Sequence, residues 1–83
     1  MTQSEIETVV RRELGAVAPG TDLSALDPDA DLAETLDIDS MDFLNFVIAL
    51  HGALKLDIPE ADYTKLRSLG SARRYLAARL GAS

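Results

Sequence analysis

The chain has 83 residues, enough for one small domain (1–83) that buries roughly 60–65% of the surface its unfolded form exposes. It has an ordinary apolar content, no cysteine, a single histidine and a net charge of −6. Disulfides, thiolate chemistry and a histidine metal cluster are excluded, nucleic acid is a poor partner for so acidic a chain, and a deep, dry active site has little room. Residues 1–8 carry acids and no long apolar run, which argues against a signal peptide. The longest apolar stretch, residues 46–50, is far too short to cross a membrane. A cytoplasmic monomer with no membrane partner is the expectation.

The first helix is expected to start near Ser4, because Ser4 and Glu7 have the spacing of a capping box. Ile6, Val9, Val10, Leu14 and Val17 recur at three or four residues and share one face, and Pro19 and Gly20 end the pattern. A long loop follows to about Ile38, rich in aspartate and proline, residues that favour turns and caps. Leu23, Leu26, Leu32 and Leu36 are spaced to pin this loop to the core. A loop so long in so small a domain tends to be functional.

The second helix is expected from Asp39 or Ser40 to about Gly52. Met41, Leu44, Val47 and Ile48 line one face, and Phe43, Phe46 and Leu50 a second. A helix this apolar is either central to the fold or presents a patch to a partner. Pro59 suits the first turn of a short third helix, where its missing amide proton costs nothing. Ser68 reads as the cap of a last helix carrying Leu69, Ala72, Leu76 and Leu80, with Gly81 just past its end. The fold class is all-α: a small four-helix bundle with a long loop between helices 1 and 2 and a short third helix.

Charge is divided along the chain. Eight acids and no base lie in residues 22–42, whereas no acid follows Asp62 and five bases do. The acidic half suits partners with basic docking surfaces, and equally suits simple solubility.

The informative cluster is residues 36–42. A serine stands in the first turn of an apolar helix, where unpaired amides and a partial positive charge would stabilise an esterified phosphate. Asp39 and Ser40 are equally ordinary helix-capping residues, so these features alone leave both readings open. A catalytic His51 is not expected, since nothing acidic or nucleophilic adjoins it. It suits a polar cap at the end of the second helix.

Asp39-Ser40-Met41-Asp42 resembles the phosphopantetheine attachment motif of acyl carrier proteins, usually Asp-Ser-Leu-Asp. The resemblance covers almost the whole chain, because the order of helices and loop also matches. It implies a carrier rather than an enzyme. Ser40 would receive 4′-phosphopantetheine from coenzyme A through a separate phosphopantetheinyl transferase, and the thiol of that arm would carry the acyl group. Asp39 would orient the serine hydroxyl. Asp39, Met41 and Asp42 would dock partners, which include an acyl- or aminoacyl-loading ligase and downstream acyl-processing enzymes.

The family usually has Leu-Gly before the motif, and Leu36-Asp37 stands here, so the tight glycine turn is expected to be altered. Carriers of fatty-acid synthesis also bear further glutamates along the second helix, where this chain has Asn45, His51, Gly52 and Ala53. A stand-alone acyl carrier of a specialised lipid or secondary-metabolite pathway is the leading expectation. An aminoacyl or peptidyl carrier of a nonribosomal-type pathway is the alternative, and an unmodified helical interaction domain is a third.

Overall fold

The structure is a computed structural model and describes residues 1–81. Helix α1 spans Gln3–Val17, α2 Leu32–Thr35, α3 Ser40–Leu54 and α4 Leu69–Leu80. A 3-10 turn at Leu23–Ala25 lies in the long loop, and a 3-10 helix at Glu60–Leu66 precedes α4. That 3-10 helix is the expected short third member of the bundle. Among the described residues there is no strand, and no helix is long and apolar enough to cross a membrane.

The first helix begins two residues earlier than expected for a Ser4 cap. Thr2 and Glu5 form the capping box instead: Glu5 N–H donates to Thr2 Oγ1 at 3.1 Å, and Thr2 N–H donates to Glu5 Oε1 at 2.8 Å. Both Thr2–Glu5 and Ser4–Glu7 fit the pattern. The earlier pair wins, and Glu7 is left free to pair with Arg73 on α4 at 3.3 Å. Ile6, Val10 and Leu14 are fully buried and carry the inner face of α1 onto α3 and α4.

Helix α3 supplies the centre of the core. Phe46 and Leu50 are completely buried and Val47 nearly so. The helix runs past Gly52 because Leu54 still has core to cover. It ends at Lys55, whose φ of 52° is left-handed. His51 caps that end, its Nδ1 lying 2.8 Å from the Leu56 carbonyl oxygen, a geometry in which the ring nitrogen donates. Pro59 stands one position earlier than expected, as the cap of the 3-10 helix rather than within its first turn. Tyr75 on α4 fastens that 3-10 helix. Its hydroxyl donates to Asp62 Oδ2 at 2.6 Å and accepts from Arg79 at 2.7 Å. Burial, with the Asp62 carboxylate beside it, raises the Tyr75 hydroxyl above its ordinary pKa.

Ser68 caps α4 by accepting from Ser71 N–H, and Gly81 ends it at φ 65°, both as expected. The long loop is tied down along its length. Leu26 and Leu32 are buried, while Leu23 and Leu36 pack against the core. Arg11 on α1 donates to the Leu23 carbonyl. Two backbone bonds then stitch the loop to the start of α4: Leu32 N–H to the Arg67 carbonyl at 2.7 Å, and Gly70 N–H to the Pro28 carbonyl at 2.8 Å.

Candidate functional site

The acidic loop delivers the chain to α3 through a compact turn. Asp31 caps the four-residue α2 by accepting from Ala33 and Glu34 N–H. The Ile38 N–H then reaches back to the Ala33 carbonyl at 3.1 Å, leaving Asp37 left-handed at φ 53°. This is the closure that usually favours glycine at the left-handed position. The expected alteration of the turn does not occur: an aspartate takes the glycine's place, and the conformation is kept because aspartate tolerates it better than most residues.

Asp39, Ser40, Met41 and Asp42 therefore come together on the first turn of α3. Asp39 is the cap, its Oδ1 accepting from Asp42 N–H at 2.8 Å. That bond commits the carboxylate to the helix end. Among the described residues no hydrogen bond joins it to the Ser40 hydroxyl. Ser40 is the first helical residue and is exposed. The helix start leaves amides there free to face an anion, and the helix dipole adds partial positive charge.

Met41 is 64% exposed, and Ile48 and Leu44 continue the same outer face at 57% and 38%. Of the expected apolar face of α3, only Val47 turns inward. The helix is thus both central and outward-facing: one side fills the core and the other offers an apolar strip running away from Ser40.

An open cleft of about 190 Å³ adjoins the serine, lined by Ala33, Ile38, Asp39, Ser40, Phe43 and Arg67. Arg67 is the feature that sequence reasoning missed as part of the site. It donates to Asp31 Oδ2 at 2.9 Å, and its guanidinium lies 5.7 Å from the centre of the Phe43 ring. The Asp31 carboxyl is held below the ordinary carboxylate range, chiefly by the Glu34 N–H and further by Arg67. The only sequence signal for Arg67 was its membership of the basic C-terminal half, because its partner lies 36 residues away.

An exposed hydroxyl at an amide-rich helix start, beside a cleft with one cation and apolar walls, fits a phosphate ester followed by an organic chain. Among the described residues, the remaining bases form no ion pair with an acid of the 22–42 segment. Arg73 pairs with Glu7, and Arg79 lies between Tyr75 and Asp62. Of the eight acids in residues 22–42, Asp31 has the only basic partner among the described residues. Salt should therefore screen repulsion more than attraction, and thermal melts from low to moderate sodium chloride should show a rising midpoint. A falling midpoint would mean that attractive pairs dominate.

The family model described as the phosphopantetheine attachment site matches residues 4–76. The chain is also 29% identical over 75 residues to an acyl carrier protein of Syntrophobacter fumaroxidans (strain DSM 10017 / MPOB), covering 90% of this chain and 86% of that one. With the family match running from the first helix into the last and enclosing the serine-led turn, the chain belongs to the phosphopantetheine attachment site family.

Proposed function

We propose that the chain, acting as one carrier domain, holds acyl groups as thioesters on a 4′-phosphopantetheine arm esterified to Ser40. The pathway we assign is a specialised lipid or secondary-metabolite one. The observation that carries this reading is Ser40 itself, exposed as the first residue of a 15-residue helix within the family match. The arm supplies the thiol that this cysteine-free sequence lacks. The protein's own residues present the serine, hold the helix start in place and offer the surface that partner enzymes grip. Those partners are a phosphopantetheinyl transferase, a loading ligase and downstream acyl-processing enzymes. The acyl carrier protein to which the chain is similar supports the acyl reading.

The absence of cysteine gives a direct test. The unmodified chain should contain no reactive thiol, and incubation with coenzyme A and a broad-specificity transferase should create one per chain. A chain that never gains a thiol rejects the proposal. A second reading, an aminoacyl or peptidyl carrier, is favoured by one observation: beyond Asp42 the outer face of α3 is Leu44, Asn45 and Ile48, with no acid. Intact masses after loading by the dedicated ligase separate a fatty acyl cargo from an amino acid.

Partner enzymes are proposed to approach the start of α3, touching Asp39, Met41 and Asp42. An exposed ion pair is worth about 0–1 kcal/mol and fades with salt. Asp42→Lys should slow modification by roughly two- to fivefold at low salt and by less at high salt. An unchanged rate at low salt would remove Asp42 from the docking surface.

A further inference from the structure

We infer that the cleft beside Ser40 is a binding site for the first segment of the arm, with Arg67 holding its phosphodiester and Ile38 and Phe43 packing its geminal methyl groups. The inference rests on the proposed attachment of that arm at Ser40 and extends it to residues from other elements of the fold.

Charge is the first ground. A phosphodiester on Ser40 carries one negative charge and sits at the end of a segment with eight acids. Arg67 is the only base lining the cleft, and Asp39 is the only acid. A guanidinium has five N–H donors in a planar fork, and among the described residues this one spends a single side-chain hydrogen bond, on Asp31. It can therefore take a second oxyanion without releasing the first. Asp31 holds the head from one side and the Phe43 ring lies beneath it, so little further ordering is needed for the contact.

Shape and polarity are the second ground. The arm runs from its phosphodiester through a methylene to a quaternary carbon with two methyl groups, and only then to a hydroxyl and amides. An anion followed by a compact apolar knob matches one cation followed by Ala33, Ile38 and Phe43. The cleft volume of about 190 Å³ is close to that of a cavity, about 150 Å³, that accepts a benzene-sized group. It has room for the dimethyl segment and not for the whole arm with its cargo. The amides and the thiol end therefore extend beyond this cleft.

The test is solution NMR on the full chain, before and after arm transfer from coenzyme A. In the modified wild type, the geminal methyl protons should show nuclear Overhauser contacts to Ile38 and Phe43, and the Arg67 side-chain N–H signals should shift. Arg67→Gln should lose those contacts while its unmodified spectrum remains that of a folded chain. A modified wild type with no such contacts overturns the inference while leaving Ser40 as the attachment point. So does Arg67→Gln with the contacts at full strength. A chain that takes up no arm overturns this inference together with the reading beneath it.

Discussion

Ser40→Ala is expected to abolish arm attachment completely while leaving the fold intact. The side chain is exposed, its loss removes no core contact, and the cap of α3 is made by Asp39 rather than by Ser40. Alanine also favours the helix interior more than serine does. Stability should therefore change by no more than about 0.5 kcal/mol, as for other surface positions. Circular dichroism and urea titration should overlay for the two proteins, while the thiol that transferase treatment creates should appear only in the wild type. An alanine variant that still gains a thiol would mean that another hydroxyl carries the arm.

Phe46→Ala is expected to have the opposite profile, a large loss of stability with Ser40 still in place. Phe46 is the largest fully buried side chain, on the inner face of the helix that presents the serine. Truncating a buried phenylalanine costs about 3–5 kcal/mol, from lost transfer energy and the cavity left behind. A domain of this size has roughly 4–12 kcal/mol in total. The thermal midpoint should fall by on the order of 15–30 °C, with a matching drop in the urea midpoint. Ile48→Ala, two residues along but 57% exposed, should stay within about 0.5 kcal/mol of wild type. Equal effects at the two positions would contradict the assignment of inner and outer faces on α3.

The fold was largely legible because its determinants are local. Helical spacing found Ile6, Val10 and Leu14 on one side and Leu69, Ala72 and Leu76 on another, and all six are buried. The Ser68 cap and the Gly81 stop follow from one residue each. Errors arose where two local solutions competed. Thr2–Glu5 and Ser4–Glu7 carry the same capping pattern; Thr2–Glu5 forms the box, and Glu7 pairs with Arg73 on α4. The end of α3 passed Gly52 because burial of Leu54 outweighs the weak helix preference of a single glycine.

The turn before the serine is not legible for a related reason. Asp37 holds the left-handed position that glycine usually takes, and backbone closure from Ala33 to Ile38 fixes it there. Within the site, the serine-led turn was legible because its residues are contiguous. The cleft was not, because it joins α2, α3 and Arg67 through contacts distant in sequence. The outward strip of Met41, Leu44 and Ile48 was half legible: periodicity put the three on one face, and packing alone shows that this face lacks a neighbour.

The most direct test of the central claim is fragmentation mass spectrometry of the intact chain after treatment with coenzyme A and transferase. The added phosphopantetheine mass should localise to Ser40 in every modified molecule, with one arm per chain and none on Ser4, Ser24, Ser68, Ser71 or Ser83. A single arm on any other residue, or no arm at all under conditions that modify a known carrier, would contradict the account.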